Sequence, residues 1–233
     1  MTITDLVILW INLDDRPDRA KECVSQIQQL KLGSSAVRIS AVNREQVGVL
    51  ADTDSQHYFQ GVVACKKSHF KAMESFLESD KSYAFILEDD FLFTDLLTKN
   101  EILRLLLEMK RSYIQLLQVG FLPRGNTLTG PFFKMANKFA FLKELINIKL
   151  YKIRGTNKIR RWTLKPGSHA YIVDRKMALY ILDNSDLELK IPYDLWLSKL
   201  SSNANLERNT PKSARLRFSI VRQNDAFKSD IQL

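Results

Sequence analysis

The run Leu6-Val-Ile-Leu-Trp-Ile-Asn-Leu13 is apolar at every position but Asn12 and is followed at once by the charged stretch Asp14-Asp-Arg-Pro-Asp-Arg19. A strand with one wet face alternates apolar and polar residues; a run with no alternation is a strand covered on both faces, as in sheets sandwiched between helices. That requirement selects the α/β class. The rest of the chain supplies the covering helices. Pro17 suits a first helical turn, Ala20, Val24, Ile27 and Leu30 form an apolar stripe, and Gly33 is a stop signal. Ala36 to Ile39 reads as a second strand, Gly61 to Glu78 as a helix, and Tyr83-Ala-Phe-Ile-Leu87 as a third, buried strand. A helix over 95–109, a strand over 113–119, the strand His169-Ala-Tyr-Ile-Val173 and a helix over 175–182 continue the alternation, with Ile191 to Leu197 after them. The reading is one domain over residues 1–233, built on a mostly parallel central sheet.

With 233 residues, 45% of them apolar and 26% charged, the chain can bury a core without disulfides or zinc. Cys23 and Cys65 form no CxxC pair and suit a reducing compartment. No basic segment precedes the first apolar run, and no apolar stretch approaches the ~20 residues of a membrane span, so a cytoplasmic location is expected. The net charge of +9 is unevenly spread: residues 1–95 hold 10 Lys/Arg and 15 Asp/Glu, residues 96–233 hold 25 and 11. A basic face of this kind fits an anionic partner. Its densest part, 131–162, interleaves nine cations with aromatic and aliphatic residues around the single acid Glu144. It reads as a basic helical insertion, either a solvated helix pair or a surface that rests on an anionic membrane, peripheral on its cytoplasmic face. Nucleic acid is not expected as a partner, because RNP, zinc-finger and KH signatures are all absent.

Glu88-Asp89-Asp90 stands where a buried strand ends, the edge at which α/β sheets bind ligands. Adjacent carboxylates repel unless a cation neutralises them, and oxygen ligands suit magnesium or manganese shared with phosphates. The same triplet also reads as a solvated loop or a helix cap. In extended backbone Glu88 and Asp90 would face the same side.

Together with this triplet, Ile11-Asn-Leu-Asp-Asp-Arg-Pro-Asp-Arg19, Gly61-Val-Val-Ala-Cys-Lys-Lys-Ser-His69, Gly167-Ser-His-Ala-Tyr-Ile-Val173, Ile191-Pro-Tyr-Asp194 and the tail Val221-Arg-Gln223 with Ser229-Asp-Ile231 form an ordered series. The series resembles glycosyltransferase family 25, the group of lipooligosaccharide β-galactosyltransferases and collagen galactosyltransferases, over nearly the whole chain except about 121–165. Ala64 departs from the family pattern, where glycine is usual. The resemblance implies a GT-A type nucleotide-sugar-binding fold, a UDP-sugar donor (UDP-galactose), Mn2+ or Mg2+, and inverting transfer to a glycan such as lipopolysaccharide. It also implies Asn12, Arg16, Arg19, Ser68, His69, Glu88, Asp89 and His169 as donor-binding residues, Asp90 with Glu88 as metal ligands, and Asp194 as the base that takes the acceptor proton. Asp194 also reads as a helix N-cap. The competing function is a non-catalytic, transferase-like module on an anionic membrane or nucleic acid.

Overall fold

The computed structural model describes residues 2–48, 56–121, 159–160, 164–167, 169–185, 191–216 and 219–224. In chain order its strands are β1 (Leu6–Asn12), β2 (Ala36–Ser40), β3 (Tyr83–Glu88), β4 (Phe91–Phe93), β5 (Leu116–Gly120), β6 (Ile159–Arg160), β7 (Ala170–Asp174), β8 (Ser213–Leu216) and β9 (Val221–Gln223). The helices are α1 (Pro17–Gln29), α2 (Gln56–Glu78), α3 (Lys99–Arg111), α4 (Arg175–Asp183) and α5 (Tyr193–Leu206).

The expected three-layer architecture follows from strand alternation. In β1, Leu6, Ile8 and Trp10 join a core with Cys23 and Ile27 of α1 and Ile102, Leu105, Leu106 and Met109 of α3. Val7, Leu9 and Ile11 face the other way, into a core with Ala72, Met73 and Phe76 of α2, Met177 and Ile181 of α4, and Trp196 and Leu200 of α5. Both faces of β1 are therefore dry, each fully buried aliphatic side chain contributing about 1.5–3 kcal/mol.

The sheet is mixed, which corrects the expectation of a mostly parallel one. Its order is β2-β1-β3-β7-β5-β8-β6. β1 is parallel to β2 and β3, but β7 enters antiparallel between β3 and β5. β8 is parallel to β5, β6 antiparallel to β8, and β4 antiparallel to β9. A run buried on both faces has the same composition whichever way it points, so β7 gave no sign of its direction.

Element ends also move for physical reasons. α2 begins at Gln56, upstream of Gly61, because one interior glycine costs a helix only about 1 kcal/mol. α3 starts after Thr98, whose hydroxyl accepts from Glu101 N at 3.1 Å and caps it. Tyr113 ends that helix with φ 52°, so β5 begins only at Leu116. The segment Ile191 to Leu197 mostly opens α5. The basic segment 131–162 lies outside the described residues apart from β6, as does the tail 229–231. No described helix is long and apolar enough to cross a membrane. Both cysteines are free.

Candidate active site

The carboxyl ends of β1, β3 and β5 and the amino end of antiparallel β7 share one edge of the sheet, as the pairings Leu87 with Ala170 and Gly120 with Ala170 show. Every chemistry-bearing strand end discussed above converges there. Glu88 closes β3 and its N–H donates to His169 O at 3.0 Å. The chain then turns at Asp89 and Asp90 into β4, so the three acids leave the strand separately rather than alternating along it.

Asp89 turns inward. Its carboxylate accepts from Asn12 Nδ2 at 2.8 Å and Arg19 Nη1 at 2.8 Å, and its carbonyl from Cys23 Sγ at 3.4 Å. Asn12, Arg19 and Asp89 thus form one buried clasp joining β1, α1 and the turn. Such a buried pair is held by geometry more than by net attraction, and removing one partner costs about 3–5 kcal/mol. Arg38, which pattern reading passed over, completes the clasp: its Nε donates to Asn12 Oδ1 at 3.0 Å and its Nη2 to Asp14 Oδ1 at 2.6 Å. Arg16 stands at the head of α1, half-buried, its guanidinium on Asp18 at 3.2 Å.

Asp90 faces the tail. Oδ2 accepts from Gln223 Nε2 at 2.5 Å, and Asp90 O from Asn224 N at 2.6 Å. Oδ1 is buried and has no hydrogen-bond partner among the described residues. Burial first, then the neighbouring Glu88 charge, pushes the Asp90 carboxyl up to about 7; the Gln223 bond acts the other way. Cys23 beneath is pushed up to about 12, mainly by burial and by Asp89, and stays a thiol.

The remaining expected residues have protein partners. Ser68 donates to Ala64 O at 2.7 Å and accepts from Val42 N at 2.8 Å, stapling α2 to the loop after β2. His69 lies in the core of α2 between Tyr171, Tyr193 and Glu88. His169 Nε2 donates to Val221 O at 3.1 Å, and burial lowers its basicity, so it is a neutral clip between β7 and β9. This clip needs Gly120: a Cβ there would stand 2.7 Å from His169 Nε2 and 2.7 Å from Ala170 Cβ. Gly120→Ala is expected to destabilise the protein by about 1–3 kcal/mol through that overlap, read as a lower denaturant midpoint at unchanged slope.

Asp194 is in the first turn of α5, two residues past its N-cap, Pro192. Oδ2 accepts from Gly167 N and Oδ1 from Leu195 N, both at 2.8 Å. Gly167 offers that N–H from a left-handed conformation, φ 89°, which glycine adopts without strain. The loop is held from the sheet side by Gln118, whose amide nitrogen donates to Lys165 O and Gly167 O and whose oxygen accepts from Lys165 N. Gln118, Arg38 and Gln223 are the residues that sequence chemistry missed. Gln223 alone had a signal, its place in the tail motif.

A helix-covered sheet with acids gathered at its carboxyl edge is the layout of an α/β enzyme that binds its ligand at that edge. The sequence pattern of glycosyltransferase family 25, described as an LPS biosynthesis protein family, matches residues 6–197, and the chain belongs to that family. It is therefore a glycosyltransferase. No curated protein matches the chain in sequence. Among solved structures, a glycosyltransferase involved in the glycosylation of the major capsid of PBCV-1 is similar over 97% of this chain and 95% of its own, at 8% identity and a TM-score of 0.48.

Proposed function

We propose that this enzyme has a GT-A type site and moves a hexose, galactose, from a UDP-sugar to a cell-surface glycan such as lipopolysaccharide, with inversion. The observation that carries the reading is Asp90: a buried carboxylate with one oxygen unpartnered among the described residues, beside a second carboxylate, Glu88. Such a pair is unfavourable in a protein with nothing bound to it and is relieved by a cation.

No set of three or more His, Cys, Asp or Glu side chains among the described residues makes a metal cage. Magnesium and manganese bound jointly with phosphates use only one or two carboxylates, so Asp90 and Glu88 fit that requirement. When bound there, Mn2+ or Mg2+ supplies the charge that stabilises a departing diphosphate. In this reading Arg16 meets the donor from the head of α1. Asn12, Arg19, Asp89, Ser68 and His169 act from behind, holding the strand ends and loops that carry Glu88 and Asp90. Asp194 takes the proton from the acceptor hydroxyl, that oxygen bonds to the anomeric carbon, and the bond from that carbon to UDP breaks. The segment 131–162 brings the enzyme to an anionic membrane carrying its acceptor.

Calorimetric titration of UDP-galactose, UDP-glucose and UDP-N-acetylglucosamine, each with and without manganese, tests the proposal. Manganese-dependent binding of UDP-galactose is the expected result. Binding of another of these donors would replace galactose, and no binding of any would point to a donor outside the UDP-sugars or to the non-catalytic module.

A further inference from the structure

His69 is 1% exposed, and both ring nitrogens and one ring face meet a named group. Glu88 Oε1 lies 3.4 Å from Nε2, which has no hydrogen bond among the described residues. Nδ1 lies 3.0 Å from the Tyr171 hydroxyl, and that hydroxyl 3.0 Å from the Tyr193 hydroxyl. The Tyr193 ring stacks on the imidazole with centroids 3.9 Å apart and planes 6° from parallel.

For a neutral imidazole beside an ionised Glu88, one arrangement of protons satisfies this chain. A lone pair on Nε2 would face a carboxylate and be repelled, so the proton belongs on Nε2 and Nδ1 is the acceptor. Tyr171 then donates to Nδ1, and its oxygen accepts from Tyr193. Burial keeps both phenols far above their ordinary ionisation range, so each retains a proton to donate.

We propose that His69 is a positioning residue for Glu88, locked in the Nε2–H tautomer by the Tyr193–Tyr171 pair and aiming that carboxylate at the cation and donor. The proposal rests on the donor reading of Glu88 given above. A separation of 3.4 Å is a few tenths of an ångström too long for a good N–H···O bond, and such contacts tighten when a site fills. Tyr193 immediately precedes Asp194, so the same chain keeps the start of α5 in register with the end of β3.

Imidazole 15N NMR on the metal-free full chain reads the tautomer without substrate, the His69 signals being those lost in His69→Gln. A protonated Nε2 and bare Nδ1 are expected in the wild type, with tautomers mixed in Tyr171→Phe and Nε2 shifted in Glu88→Gln. A protonated Nδ1, or signals indifferent to Glu88→Gln, would overturn the assignment. Manganese affinity in the presence of UDP-galactose should weaken about 10- to 100-fold in His69→Ala, the usual effect of losing a ligand's hydrogen-bond partner. His69→Gln, whose amide nitrogen reaches the place of Nε2, should recover most of it. If His69→Ala does not fold, Tyr171→Phe is read instead and should also bind more weakly. Wild-type protein that binds no manganese and donor removes the donor reading and this proposal with it. Wild-type binding with Ala and Gln variants equally impaired removes the positioning role alone.

Discussion

Asp90→Asn is expected to abolish manganese-dependent UDP-sugar binding and, in metal-free protein at pH 8, to raise the melting temperature. The two effects have one origin. Unfolded, the Asp90 carboxyl ionises near 3.8; folded, it ionises near 7, chiefly because it is buried and faces Glu88. Between those values the folded protein holds the extra proton, so stability falls as pH rises from 3.8 to about 7 and the whole penalty stands above 7. The interval corresponds to about 4 kcal/mol against the ionised form. Asparagine keeps an oxygen for the Gln223 amide and removes the charge. Its advantage in melting temperature should therefore shrink as pH is lowered from 8 toward 4. Manganese should reverse the order by stabilising only the wild type, through mass action on the folded state. A variant that melts no higher than wild type at pH 8, or still binds manganese with donor, would contradict this account of Asp90.

Asp194→Asn is expected to leave manganese-dependent UDP-sugar binding within a few-fold of wild type while turnover falls by about 10²–10⁴, the usual contribution of a positioned base. Asparagine is nearly isosteric and keeps an oxygen to accept from Gly167 N–H, so the loop stays clasped. The structural losses are one carboxylate at a helix N-terminus, about 0.3–1 kcal/mol, and the bond from Leu195 N–H, about 0.5–1.5 kcal/mol. A small change in melting temperature with a large loss of turnover marks a base. Turnover that survives would leave Asp194 as the clasp of the 164–167 loop and nothing more.

The strands that frame the site were legible in the sequence because complete burial leaves an unmistakable composition. β1, β2 and β3 fall where Leu6 to Leu13, Ala36 to Ile39 and Tyr83 to Leu87 placed them. Direction was not legible for β7, whose partners lie far away in the chain. The acidic triplet was legible as a group, but the division of labour within it was not. Which acid is clasped and which keeps an unpartnered oxygen depends on the turn after Glu88 and on Arg19, Asn12 and Gln223, 70, 77 and 133 residues away from their partners. Gln118 and Arg38 were invisible for a simpler reason. A glutamine on a buried strand and an arginine on a sheet strand carry no signature until the groups they bind are in place.

The antiparallel strand at the centre of the sheet also sets how long part of the sheet stays unpaired while the protein is made. β3 ends at Glu88 and pairs with a strand that begins at Ala170. During synthesis the unpaired edge of β3 must wait for about 80 further residues, roughly 4–16 s at about 5–20 residues per second. Throughout that interval a hydrophobic strand edge stands open to any other extended segment. Nascent chains that stop short of β7 are thus the species most in need of a chaperone.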